Sequence, residues 1–482
     1  MNSPKATDSK TVLSPEEAGR KAREMASALS MAPPPSSNSH RDSMTTLPPL
    51  ATMETLLAHA GVDPTIPNAP MSPPLHLATT YTRPEDGNYA LDDSVYSRAG
   101  NPTRDLLERE MARLECHGKA LPDDRSSATC CAFASGMMAV SSIILSHAAP
   151  VHLILPKDLY HGVLTVSVDV FSRFFVSTQQ VDLTDMVAVQ TALTQLPENT
   201  DIILWMESPS NPFTLVTDIE EVCRIAQLSN RTVTTVVDST LAPPVITQPL
   251  LLGADLVMHS ATKYLAGHSD ALIGVVTASP WTERGRLLAH RLKQTQMSVG
   301  GVASILDSWL TLRGMRTLAL RVQRQSQTAL QVAQFLENHY AVQKVHYPGL
   351  AAHRQHAIAE RQMNGMYGGL LSIEMTTEAR AMAFAGALQT IQRATSLGGT
   401  ETLIEHRASI EPMNRKISPP GLLRISIGLE HPQDLINDIT CALKIVDKVS
   451  PYRASPSPRE RSDWRRLLSL EDENCFIGDL EE

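Results

Sequence analysis

A chain of 482 residues is long enough for two or three domains and a large buried core. With 42% hydrophobic and 19% charged residues, a formal net charge of -9 and no long lysine/arginine run, it is not the composition of a nucleic-acid or anionic-membrane binder. No segment approaches roughly 18 consecutive apolar residues, so no membrane-spanning helix is expected.

The six cysteines, at 116, 130, 131, 223, 441 and 475, show neither CxxC spacing nor a paired framework. That pattern suits a reducing compartment and argues against a disulfide scaffold or a zinc site. Cys130 and Cys131 sit in an apolar run and are expected to pack in the core. The N-terminus is Ser-rich but carries Asp8, Glu16, Glu17 and Glu24 and lacks an apolar signal core, so a cytoplasmic location is expected.

Residues 1–50 are rich in Ser and Pro and read as a disordered tail, with one short helix predicted from Ser14 through Leu29. The stretch ATCCAFASGMMAVSSIILSHA reads as a turn into a helix, and VHLILP as a short apolar strand. DIILWMESP, TVTTVVDST, ADLVMHSA and ALIGVVTAS follow as strand-like runs, with LTDMVAVQTALTQL and DIEEVCRIAQLSN supplying helical spacing between them. Strands alternating with helices predict a mostly parallel sheet covered on both faces. From about Ile305 one long helical stretch leads into the shorter strands KVHYPG, GGLLSIEM and LLRISIGL, which predicts a second, α+β domain. Residues 451–482 return to the composition of the first tail. HGKALPDDRSSAT (117–129) reads as a surface insertion.

In parallel α/β sheets the working residues sit at the carboxyl ends of strands. Asp238 ends TVTTVVD, Glu207 ends ILWME with Asn211 just beyond, and ADLVMHSA runs into Thr262 and Lys263. Gly136 and Met137 open a helix, where backbone amides and the helix dipole favour an anion, and Ser260 and Thr262 add hydroxyls. A phosphate cup, a lysine and an aspartate together point to pyridoxal 5'-phosphate held as a Schiff base on Lys263, with Asp238 facing the pyridine nitrogen.

The blocks YSRAGNPTRDLLEREMARLE, ESPSNPFTLVTDI, SATKYLAGHSD, LTLRGMRTLALR, VHYPGLAAHRQH, SLGGTETLIEHRAS and LLRISIGLE stand in an order that resembles the Cys/Met-metabolism PLP-dependent, or transsulfuration, enzymes from about residue 53 to 448. The resemblance implies an aspartate-aminotransferase-like (fold type I) architecture. It divides the chain into an arm contacting the neighbouring subunit (51–110), a PLP-binding domain (111–305) and a C-terminal domain (306–450). Lys263 would carry the cofactor, Tyr160 would stack on its ring and act as a further acid or base, and Gly136, Met137, Ser260 and Thr262 would bind its phosphate. Tyr96 and Arg98 would complete that phosphate cup in a neighbouring subunit, which implies a homodimer or homotetramer with shared sites. Arg424 and Ser396 would hold the α-carboxylate of a small amino-acid substrate. Expected chemistry is γ-elimination or γ-replacement of the cystathionine γ-synthase or γ-lyase type. Cystathionine β-lyase, methionine γ-lyase and O-acylhomoserine sulfhydrylase activities are the alternatives, and a non-catalytic PLP-binding regulator is the remote one.

Two departures bear on the substrate. Thr165 stands where several cystathionine-handling members carry an arginine, with His161 new beside Tyr160. Glu401 resembles the acid that some members place near a distal substrate amine. His259 and His268 flank the lysine, but no carboxylate or thiol is spaced to complete a metal site with them.

Overall fold

The computed structural model describes residues 51–448 apart from the short segments 63–67, 69, 84, 86–93, 123–127, 148–149, 199 and 412–416. The helix expected at Ser14–Leu29 and both tails lie outside the described residues.

Seven strands, β1 (Thr129–Phe133), β2 (Val151–Pro156), β3 (Val176–Val181), β4 (Asp201–Glu207), β5 (Val233–Asp238), β6 (Leu256–His259) and β7 (Gly274–Ala278), form the large sheet in the order β1-β7-β6-β5-β4-β2-β3. Strands β2 to β6 pair in parallel, while β7 runs antiparallel to both β6 and β1. β2 and β6 are buried along their whole length and β4 from its second residue, the pattern of a sheet covered on both faces. Alternation then divides the core in two. Leu153, Leu155, Ile203, Trp205, Val236 and Met258 pack on one face, and Ile154, Ile202, Leu204, Met206 and Val237 on the other. Cys130 and Cys131 are buried, as expected.

Five further strands make the small sheet: β8 (Val342–His346), β9 (Leu370–Met375), β10 (Gln392–Arg393), β11 (Leu403–His406) and β12 (Leu422–Ser426). Their order is β10-β11-β12-β9-β8, antiparallel except for β10 with β11. The fold is therefore α/β, with a mostly parallel large sheet and a smaller sheet domain. No helix among the described residues is long and apolar enough to cross a membrane.

Three sequence expectations need adjusting. TCCAF is a strand, β1, rather than part of a turn, and β3, β10 and β11 join the expected strands. The single long helix is two, Ile305–Met315 and Leu318–Glu337. At the break, Arg321 donates from Nη2 to the Gly314 carbonyl, which also accepts the Thr317 amide, and from Nη1 to that of Tyr264.

Candidate active site

The carboxyl ends of β4, β5 and β6 lie in register, Glu207 opposite Asp238 and Asp238 opposite Met258. β2 pairs with β3 on one side and β4 on the other, so the strand order reverses beside these ends, where α/β sheets leave a crevice. Lys263 lies in the turn just after β6. Its Nζ donates to Ser396 Oγ at 2.8 Å, and burial, followed by the nearby Arg424 charge, lowers its pKa to about 8. Ser396 holds φ = +81°, a conformation that costs a non-glycine residue of order 1–3 kcal/mol and recurs at functional sites. Two residues on, Gly398 has φ +75°, and a Cβ there would meet the Tyr264 amide nitrogen at 2.9 Å. The SLGG loop is thus laid directly on the Lys263–Tyr264 peptide.

The same Ser396 links the lysine to Arg424 on β12. Arg424 Nη2 donates to the Ser396 carbonyl at 2.8 Å and reaches Glu405 Oε2 at 3.0 Å, and Nη1 donates to Asn211 Oδ1 at 3.4 Å. Its Nε is buried with no partner among the described residues. Burial lowers the guanidinium's pKa to about 10, so the group keeps its charge at neutral pH. A buried charge with an unmatched donor is suited to an incoming carboxylate.

Asp238 is fully buried, and burial pushes its carboxyl above the usual range. Thr240 opposes this, donating to Oδ1 from its amide at 3.0 Å and its hydroxyl at 2.5 Å. His259, next along β6, also favours the ionised form and is itself paired with Glu115 through Nε2 at 2.6 Å. Glu207 fixes the other wall: its two oxygens accept the amides of Tyr160 and Asn211, each at 2.8 Å. Tyr160 is thereby held by its backbone while the residue stays 40% exposed, its ring 4.9 Å from that of His161 between centroids.

Ser135 caps the helix Gly136–Leu145 through Met138 N, leaving the first-turn amides of Gly136 and Met137 without intrahelical acceptors. A Cβ at Gly136 would sit 3.0 Å from both Cβ and Oγ of Ser260, so this glycine keeps open the space between helix start and serine. Thr262 differs: its hydroxyl donates to the Ile273 carbonyl at 3.1 Å and accepts that residue's amide at 2.9 Å, so its proton is committed to the fold. Tyr96 and Arg98 stand apart from this cluster, exposed, with the Arg98 guanidinium 5.3 Å from the Tyr96 ring centre. Their backbone is fixed by Arg104, which donates to the Ser97 and Arg98 carbonyls. Glu401 is exposed on the SLGG loop. The sequence reading passed over Glu405, Arg407 and the Glu115–His259 pair. A signal existed in β11, where LIEHR places charges in a short, otherwise buried strand.

This architecture is that of PLP-dependent transsulfuration enzymes of known structure. A cystathionine gamma synthase from Xanthomonas oryzae pv. oryzae in complex with cystathionine superposes with a TM-score of 0.74 at 33% identity, covering 82% of this chain and 99% of that one. A cystathionine gamma-lyase from Lactobacillus plantarum complexed with L-serine gives 0.73 at 32%, over 82% and 100%. The profile of the Cys/Met metabolism PLP-dependent enzymes matches residues 54–444, and the chain belongs to that family. Among its relatives, the cystathionine gamma-lyase of Bacillus subtilis is 37% identical over 81% of this chain and 99% of its own length. The cystathionine beta-lyase of Lactococcus lactis subsp. cremoris is 36% identical over 82% and 100%. The protein is accordingly an enzyme of sulfur amino-acid metabolism in a PLP-dependent family.

Proposed function

We propose that this chain binds pyridoxal 5'-phosphate on Lys263 and uses it to eliminate or replace the γ-substituent of a small L-amino acid, as cystathionine γ-lyases and γ-synthases do. The observation that carries the reading is the Lys263–Ser396–Arg424 chain, which sets an amine of lowered pKa beside a buried carboxylate-binding guanidinium. The residues fit the cofactor: Gly136 leaves a cradle that a Cβ would fill, Ser260 and the first-turn amides would hold a phosphate there, and buried Asp238 suits a cationic ring nitrogen. When bound, pyridoxal phosphate supplies an electron sink for negative charge developing at a substrate α-carbon.

The chain's own groups supply the rest. Arg424, with Ser396, orients the α-carboxylate. Lys263 Nζ, whose low pKa leaves an appreciable neutral fraction near pH 7–8, takes the α-proton. The Tyr160 phenol, held at the mouth by Glu207, serves as a second proton-transfer group beside the leaving substituent. Tyr96 and Arg98 would complete a second copy's phosphate cup, with a homodimer or homotetramer as the working form; their exposure on a backbone anchored by Arg104 supports this. Glu401, which is exposed, would meet a distal substrate amine.

The test is a product screen with cystathionine, and with O-acylhomoserine plus cysteine. The expected products are 2-oxobutyrate from the former, or new cystathionine from the latter. A second reading, β-elimination, is favoured by the equal likeness to cystathionine beta-lyases, and pyruvate without 2-oxobutyrate would establish it instead. A protein that stays colourless with added cofactor would overturn both.

A further inference from the structure

Strand β11 and the turn after it carry a charged group that the reaction as described does not use. Arg407 is 3% exposed, and its Nη1 donates to Glu405 Oε2 at 2.8 Å. That oxygen is the one Arg424 Nη2 meets at 3.0 Å. One carboxylate oxygen is therefore shared by two buried guanidiniums, one of them the carboxylate-binding group of the site. On its far side Arg407 faces Glu411 Oε1 at 3.9 Å, while Glu411 is itself held by the Ile417 and Ser418 amides and the Ser418 hydroxyl. Arg407 Nε is buried without a partner among the described residues.

We propose that Arg407 is a positioning residue that sets the affinity of Arg424 for a substrate α-carboxylate by drawing off part of Glu405's charge. The proposal rests on the reading of Arg424 as the carboxylate-binding group. A substrate carboxylate competes with Glu405 for Arg424. The more of Glu405's charge Arg407 satisfies, the less of Arg424's charge is neutralised before substrate arrives. Arg407's own charge acts in the same direction: His161 and Arg424 both feel it, and so does Asp158, with Glu405 and Glu411 as the opposing charges. Because the group is buried, salt screens these interactions little. Two guanidiniums on one carboxylate thus make a site that is poised for, rather than already filled with, a negative charge.

Sharing also predicts the sign of each substitution. Arg407→Met leaves Glu405's whole charge to Arg424 and weakens substrate. Glu405→Gln removes the competitor and strengthens it. A purely structural role would move both variants the same way.

The experiment measures the full-length holoenzyme's KM and kcat, together with the calorimetric Kd of propionate, a carboxylate with no amine to react. For Arg407→Met, both KM and the propionate Kd are expected to rise about tenfold with kcat within about twofold. Glu405→Gln is expected to lower both, and Arg407→Lys, keeping the charge without the fork, to fall between wild type and Arg407→Met. If Arg407→Met does not fold, the opposite-sign shift in Glu405→Gln and the intermediate Arg407→Lys decide the matter. Shifts of the same sign, or wild-type affinity in every variant, overturn the proposal. Arg424→Met separates the two levels. If it leaves propionate binding unchanged, the carboxylate reading of Arg424 fails; if it abolishes binding while the other variants match wild type, only the role of Arg407 fails.

Discussion

The lowered pKa of Lys263 can be tested before any turnover is measured. Burial is its main cause and the Arg424 charge the second, and together they bring the amine from an ordinary 10.5 to about 8. At pH 7 about one amine in ten is then neutral, and at pH 9 about nine in ten, whereas a lysine at 10.5 would be about 3% neutral at pH 9. The perturbation is pH, from 6 to 9.5, applied to cofactor-free protein. The assay is the initial rate of covalent pyridoxal phosphate uptake by absorbance, divided by the rate for Nα-acetyl-lysine's α-blocked side chain scaled to its neutral fraction. The ratio should climb nearly tenfold per pH unit at the acid end and level off above about pH 8.5. In Arg424→Met the midpoint should move up but stay below 10.5, since burial remains. A ratio that keeps rising with unit slope through pH 9.5 would refute the reasoning. The same shift has a stability consequence. The folded pKa lies below the unfolded one, so the ammonium form costs the fold about 3 kcal/mol, in full below pH 8 and fading between pH 8 and 10.5.

Gly136→Ala places a Cβ against Ser260 and should weaken cofactor binding about tenfold or more, read as the Kd from absorbance titration; an unchanged Kd would show that no anion sits there. Glu207→Gln presents an NH2 group to one of the two amides that the carboxylate now accepts. It should lower the melting free energy by about 1–3 kcal/mol and reduce kcat through the loosened Tyr160, measured by thermal unfolding and steady-state kinetics. Trp205→Ala empties the centre of the large sheet's core and should cost about 3–5 kcal/mol in denaturant unfolding while leaving the site residues untouched.

The strands that were legible in the sequence are those bounded by turn residues and buried on both faces, such as VHLILP and TVTTVVD. TCCAF escaped because it runs into the apolar helix Gly136–Leu145 with only Ala134 and Ser135 between them, so the change of period is hidden. VSTQQV escaped because β3 is an edge strand whose middle residues are partly or fully exposed, and polar positions there carry no signal. Lys263, Asp238 and Arg424 could be picked out because strand ends and recurring blocks mark them. Ser396's double role depends on its backbone carbonyl and a positive φ, neither of which residue type encodes. Glu405 and Arg407 are marked only by the charges in LIEHR, and a charge in a short strand reads as a solvated edge until its partner, brought from β12, is known.

β1 has a single neighbour in the large sheet, β7, with Thr129 opposite Ala278. The helix that opens on Gly136 follows β1 and packs against β1, β6 and β7, so during synthesis its seat in the sheet is complete only when the ribosome has passed Ala278. Ser396 and Arg424 emerge later still. Contacts this far apart along the chain form slowly, and they form only once most of it exists. A nascent chain therefore carries Lys263 before Ser396 and Arg424, the proposed carboxylate grip, have been made. On the proposed reading, cofactor loading belongs late in biogenesis, as a step that seals a finished fold rather than one that seeds it.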